Sequence, residues 1–192
     1  MFSYVVVEQH SPMYKEILAL RYRVYVEQYK FENKDDHQYG VETDVYDSKS
    51  IHIAVVNDES KCVVGTVRFI LNSELGFPAK SFFEFYDGLV FESDEKCAEI
   101  SRISIDRLLL KKLKVPKQES EHILKCLIKK LAEECLKNNI SHVYAVMEEP
   151  LFLKLRMNNI VFTKVGYDKQ YHGVRAPYYG KIVEILKGSS LL

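Results

Sequence analysis

Apolar positions recur along the chain in two rhythms, and the switches between them mark out the elements. A short apolar run at Tyr4 to Glu8 predicts a strand. From about Pro12 to Glu27 the residues Ile17, Leu18, Leu20, Tyr22, Val24 and Tyr25 recur at helical spacing, and Ser11 before Pro12 supplies a cap followed by a first-turn proline. Lys30 to Ser50 has little periodicity and several acids, so it reads as a loop long enough to suspect a function. Ile51 to Asn57 and Cys62 to Leu71 are β-rich runs joined by Asp58-Glu59-Ser60-Lys61, the pattern of an antiparallel hairpin. A turn at Gly76-Phe77-Pro78 leads into a small helix with the aromatics Phe82, Phe83, Phe85 and Tyr86, and Ala98 to Ile105 then reads as another strand.

Between Ser120 and Lys137, apolar residues at 123, 124, 127, 128, 131 and 135 form one helical stripe that ends at Asn138-Asn139. His142 to Met147 predicts a strand, Pro150 to Met157 a helix, and Val161 to Val165 and Tyr179 to Leu186 two last strands. This order predicts a mixed α/β layer. The strand, long helix and strand between about 98 and 147 form a right-handed parallel crossover, with a cleft where the two strands part.

With 192 residues, 47% of them apolar, the chain is expected to be a single domain, residues 1–192, around one core. Lys plus Arg and Asp plus Glu balance at 27 each, so no overall field draws the protein to nucleic acid. Neither a transmembrane segment nor a signal peptide is expected, which points to a cytoplasmic protein. Cys62, Cys97, Cys126 and Cys135 form no CxxC pair and read as free thiols, with no metal site expected. The balance of charge is not local, however. Eight acids stand against Lys34 and Lys49 between Glu32 and Glu59, whereas Arg107 to Gln118 carries Arg107, Lys111, Lys112, Lys114 and Lys117 and no acid.

The phosphate-loop, dinucleotide, nucleophile-elbow and zinc-protease signatures are absent. What remains is charge placed inside apolar strands. Glu99 and Arg102 both interrupt Ala98 to Ile105, three residues apart, so a regular strand would send them to opposite faces and a bulge would aim both into one cleft. The alternative is an ion pair at a sheet edge. Arg68 sits in a second strand and Arg21 on the first helix, with Asp44 and Asp47 in the loop to neutralise them. Such a set either binds a zwitterionic or carboxylate substrate or pins the loop to the sheet.

Leu20-Arg21, Tyr25, Phe31, Glu42-x-Asp44-x-x-Asp47, Arg68 after Gly-Thr-Val, and Glu99-Ile-Ser101-Arg102 together resemble the ordered pattern of acyl-homoserine-lactone synthases over roughly the first 105 residues. Arg21-Tyr-Arg-Val-Tyr-Val-Glu27, Gly40-Val-Glu-Thr-Asp44 and Tyr171-His-Gly-Val-Arg-Ala-Pro-Tyr178 are similar to the related exosortase-associated acyltransferases and N-acyl amino acid synthases. The resemblance implies a GCN5-related N-acetyltransferase (GNAT) fold, α/β, with a mixed central sheet flanked by helices and split between two parallel strands.

It also implies an N-acyltransferase that moves a fatty acyl group from a thioester to the amino group of an amino acid or similar small amine. Glu99 would be the general base, with Ser101 and Arg102 positioning the reactants. Arg21, Tyr25, Phe31, Asp44, Asp47 and Arg68 would line the substrate side. Backbone N–H groups at Ile103, Ser104 and Ile105 would polarise the thioester carbonyl.

Two departures shape the expectation. The chain has no tryptophan, where the lactone synthases usually carry one at the Phe31 position, which favours an amino acid over S-adenosylmethionine as acceptor. Closely spaced glycines are missing after Arg102, so an acyl-carrier protein is favoured over coenzyme A as donor, docking on Arg107, Lys111 and Lys112. No tightly bound cofactor is expected. The alternatives are a lactone signal synthase and a non-catalytic acyl or acyl-carrier binding module.

Overall fold

The sheet in the computed structural model, which describes residues 1–190, runs in the order β1-β2-β3-β4-β5-β8-β6, with β7 pairing β8. Its strands are β1 (Phe2–Val7), β2 (Ser50–Asn57), β3 (Val63–Leu71), β4 (Cys97–Ile105), β5 (His142–Met147), β6 (Thr163–Lys164), β7 (Lys169–Gln170) and β8 (Val174–Lys181). The helices are α1 (Pro12–Arg21), α2 (Pro78–Phe82), α3 (Arg107–Lys112), α4 (Lys117–Lys137), α5 (Glu149–Met157) and α6 (Ile182–Ser190). β4 and β5 are parallel, while β1 with β2 and β5 with β8 are antiparallel, so the mixed α/β layer stands as expected. The parallel ladder pairs Cys97–Ile100 with His142–Ala145, and β4 runs on to Ile105 beyond it. No helix among the described residues is long and apolar enough to cross a membrane.

The chain divides into two compact units, Met1–Arg68 with Arg102–Leu127 and Phe69–Ser101 with Ile128–Leu192. In the first unit Val7, Ile17, Leu20, Val24, Ala54, Val56 and Val63 form a core cluster. β1 lies on β2 with Phe2 opposite Asn57 and Val7 opposite His52. In the second, Phe77, Ala79, Cys97 and Tyr144 are buried together, with Phe85, Phe91, Val146 and Tyr179 packed against them. The α4 stripe at 123, 124, 127, 128, 131 and 135 is buried throughout, as its spacing predicts.

Three expectations need correcting. The last strand ends at Lys181 rather than Leu186, because Ile182–Ser190 is helical. Ile182, Ile185, Gly188 and Ser189 face inward at helical spacing, and a Cβ on Gly188 would meet the Asn159 carbonyl at 1.8 Å, so this helix needs glycine there for close backbone packing. The basic stretch after β4, for which the sequence pattern predicts no element, begins with a helix: Asp106 accepts the Leu109 N–H at 3.0 Å and caps α3. Finally, the first helix keeps its α form only to Arg21. Tyr22–Gln28 is a π-helix, closed by the Tyr29 N–H reaching the Val24 carbonyl five residues back at 3.0 Å.

Candidate active site

The long loop after the π-helix is where the acids lie, and they hold three arginines. Arg21, fully buried, gives its Nε to Glu42 and its two terminal nitrogens to the two carboxylate oxygens of Asp47 at 2.6 and 3.2 Å. Arg68, also buried, reaches the same Asp47 at 2.6 Å and grips both oxygens of Asp44. Arg102 meets Glu42 at 3.0 Å, Glu32 at 3.1 Å and Asp44 at 3.2 Å. Planar guanidinium forks against carboxylates give directional, charge-assisted bonds, which is why arginine rather than lysine suits this place. The loop is also tied through its backbone: Glu42 N–H donates to the Leu18 carbonyl at 3.1 Å, and Asp44 N–H to the Asp47 carboxylate at 2.9 Å.

These pairings set the protonation states. Burial opposes ionisation of Glu42, but Arg21 and then Arg102 more than offset it and bring the carboxyl down to about 2. Asp47 is likewise held below the usual carboxylate range, burial being outweighed by Arg21 and Arg68. Burial pushes His52 down to about 4, so this fully buried imidazole is neutral. Its Nε2 lies 3.4 Å from the Asp47 carbonyl oxygen, and its ring meets Tyr14 edge-on at 5.0 Å.

β4 is distorted where the sequence places its second charge. Arg102 has φ +51°, a left-handed conformation that costs a non-glycine residue about 1–2 kcal/mol. The three carboxylates around its guanidinium and the Tyr25 hydroxyl, which donates to the Ile103 carbonyl at 3.0 Å, hold it there. Tyr25 also lays its ring 5.4 Å from the Arg102 guanidinium carbon and 6.1 Å from Phe31, which stacks on Tyr29. The π-helix sets this up, since it carries Tyr25 together with Arg23 and Gln28, whose side chains donate to Asp106 at 3.0 and 3.2 Å. Asp106, capping α3, thereby ties the π-helix to the start of the basic helix.

Glu99 sits three residues earlier on β4, in the second unit, and is 3% exposed. Its carboxylate accepts the Ala79 N–H at 2.8 Å, in the first turn of α2. Tyr144 is its register partner across the parallel ladder and belongs to an aromatic group with Phe77, Phe85, Phe91 and Tyr179. The Tyr144 hydroxyl is buried without a hydrogen-bond partner.

The structure therefore brings Arg21, Asp44, Asp47 and Arg68 together and gathers Tyr25, Phe31 and Ile103 around Arg102. Ser104 is buried, with its hydroxyl 3.4 Å from the Arg102 carbonyl, while Ser101 and Ile105 are half-buried on β4. Arg107, Lys111 and Lys112 are exposed on α3; Leu110 is its buried anchor and Leu108 is 64% exposed. Two sequence expectations change. β4 lies between β3 and β5, so Glu99 and Arg102 are not at a sheet edge, and the arginine draws its carboxylate partners from the loop. Of the two readings of the arginine set, pinning of the loop is directly visible. Sequence reasoning left out Glu32, His37, Glu42 and His52 as site residues; Glu42 alone had a signal, its place in the Glu-x-Asp-x-x-Asp spacing.

Comparison with known proteins bears on the fold. Residues 20–112 match the family model described as an acetyltransferase (GNAT) domain. Over nearly the whole chain the fold is similar to that of TofI, solved in a ternary complex with an inhibitor and MTA, at 16% identity and TM-score 0.76, covering 99% of this chain and 97% of that one. It is similar to BjaI, a CoA-dependent acyl-homoserine lactone synthase solved with SAM and isopentyl-CoA, at 19% identity and TM-score 0.74, covering 98% and 87%. FeeM, an N-acyl amino acid synthase from uncultured soil microbes, matches at 12% identity and TM-score 0.64, covering 100% and 99%. No curated protein is matched by the sequence. These findings show that the chain has the fold shared by these synthases, with a match to the GNAT domain over residues 20–112.

Proposed function

We propose that the protein transfers a fatty acyl group from an acyl-carrier-protein or coenzyme A thioester to the amino group of an amino acid or similar small amine. The observation that carries this reading is Glu99, an almost fully buried carboxylate fixed by the Ala79 N–H, on the strand in which Arg102 then takes a left-handed conformation. A general base needs this kind of fixed orientation more than it needs exposure. The amine nitrogen attacks the thioester carbonyl carbon; a C–N bond forms and the carbonyl becomes an oxyanion. Glu99 takes the proton the nitrogen loses, directly or through a water, and the C–S bond then breaks to release the thiolate. Backbone N–H groups of Ile103, Ser104 and Ile105 serve the developing oxyanion. Ser101 and Arg102 position the reactants, and Arg21, Tyr25, Phe31, Asp44, Asp47 and Arg68 form the acceptor side, the buried pairs acting by holding the loop in place.

The donor dock is the exposed face of α3, where Arg107, Lys111 and Lys112 surround the exposed Leu108. A cationic rim around one apolar side chain suits an acidic carrier protein, and its attraction weakens as salt rises. The protein works in the cytoplasm, where such carriers are made. A second reading, a lactone synthase consuming S-adenosylmethionine, is favoured by the likeness to BjaI.

Mass spectrometry of organic extracts from bacteria expressing the chain, against an empty-vector control, tests both. New N-acyl amino acids support the first reading, and N-acyl homoserine lactones replace it with the second. Purified protein that cleaves no acyl thioester when supplied with amines overturns both.

A further inference from the structure

The arginine cluster is not neutral. Arg21, Arg68 and Arg102 are shared among Glu32, Glu42, Asp44 and Asp47, three guanidiniums against four carboxylates. Glu42 and Asp47 are buried at the inner end, whereas the side chains of Glu32 and Asp44 each keep 23% of their surface exposed. The surplus negative charge therefore faces outward. Arg102, the most exposed of the three arginines, already carries three carboxylates and is poorly placed to take a fourth.

A second feature points to what completes the cluster. His37 has a side chain only 8% exposed, and its Nε2 is buried without a hydrogen-bond partner. That nitrogen lies 3.8 Å from Glu32 Oε2, too far for a hydrogen bond, while the other Glu32 oxygen is held by Arg102 at 3.1 Å. Leaving a buried polar nitrogen unsatisfied costs about 1–3 kcal/mol. A cationic N–H donor entering along the exposed edge of Glu32 would bond both the free carboxylate oxygen and the imidazole nitrogen, and would also neutralise the surplus charge.

We infer that Glu32, His37 and Asp44 form a subsite for a second, cationic nitrogen of the acceptor, distinct from the one that is acylated, so that the preferred acceptor is a dibasic amino acid or diamine. This rests on the acyl-transfer reading and narrows it: the arginines hold the site together, and the carboxylates do the recognising. Neutral zwitterions leave the surplus charge in place, and acidic amino acids add to it.

The test measures thiol release from an acyl thioester by the protein with three acceptors: norleucine, lysine and glutamate. Lysine should exceed norleucine in kcat/KM by about tenfold or more, the difference lying mainly in KM, and glutamate should be poorest. Glu32→Gln and His37→Phe should each bring the lysine to norleucine ratio toward one, with circular dichroism checking that each variant folds. Amine-dependent release with equal or reversed charge preference overturns the subsite and leaves the acyltransferase standing. Release that no amine accelerates overturns the acyl-transfer reading and the subsite with it.

Discussion

In the first unit the inward-facing charges come as opposed groups: Arg21 and Arg68 share Asp47, and Glu42 joins Arg21 to Arg102. In the second, Glu99 has one oxygen fixed by a backbone N–H, and its ladder partner Tyr144 belongs to an aromatic group, Phe77 5.4 Å from Tyr144 and Tyr179 5.0 Å from both Tyr144 and Phe91. Charges buried in opposed groups are bound to their partners and serve mainly to hold a loop, since each removal strands another charge. A carboxylate oriented by a backbone N–H is held in a fixed direction toward a reactant. The contrast teaches why the richer cluster is read as scaffold and recognition surface, and the sparser one as the place of chemistry.

Removing the keystone of the first unit should have the largest effect. Asp47→Ala leaves two buried guanidiniums short of a partner and should lower unfolding free energy by about 3–5 kcal/mol, read by chemical denaturation. A loss below about 1 kcal/mol would mean that the paired charges are not what holds the loop. Glu99→Gln should lower kcat by about 10²-fold or more while changing stability little, because the amide keeps an acceptor for Ala79. Equal losses of stability and activity would erase the distinction between the units.

Acid should act on the first unit in two stages. His52 has a folded value near 4 against an ordinary 6.5, so the unfolded chain binds the extra proton and stability falls as pH drops from about 6.5 to 4. Glu42, near 2 against an ordinary 4.5, contributes stability that is fully present above about 4.5 and lost as pH falls to 2. Each stage is worth about 3 kcal/mol at 1.36 kcal/mol per pH unit. Denaturation midpoints across this range should show both, and His52→Phe should flatten only the upper one. The smallest effect is expected in the second unit: Tyr144→Phe removes a buried hydroxyl that has no partner, so stability should stay level or rise by up to about 1 kcal/mol. A loss of more than 1 kcal/mol would show that the hydroxyl is satisfied in solution.

What the sequence determined by itself was whatever local pattern governs. The hairpin of β2 and β3, the buried stripe of α4 and the strand carrying Glu99 were legible because alternation and helical spacing survive in one dimension. So was the matching of Arg21 and Arg68 with Asp44 and Asp47, because buried charge must find opposite charge. The C-terminal helix was not legible: Ile182, Val183, Ile185 and Leu186 are strand-like in composition, and packing of a glycine against the Asn159 carbonyl decided otherwise. Nor could spacing show that Tyr22–Gln28 widens to a π-helix and carries Tyr25 to the Ile103 carbonyl, or that His37 comes to rest beside Glu32. Those facts depend on contacts between residues 5 to 78 positions apart whose partners share no period. Local periodicity fixes which face of an element is apolar, whereas the surplus charge, the left-handed Arg102 and the orphaned imidazole exist only once distant segments have been brought together.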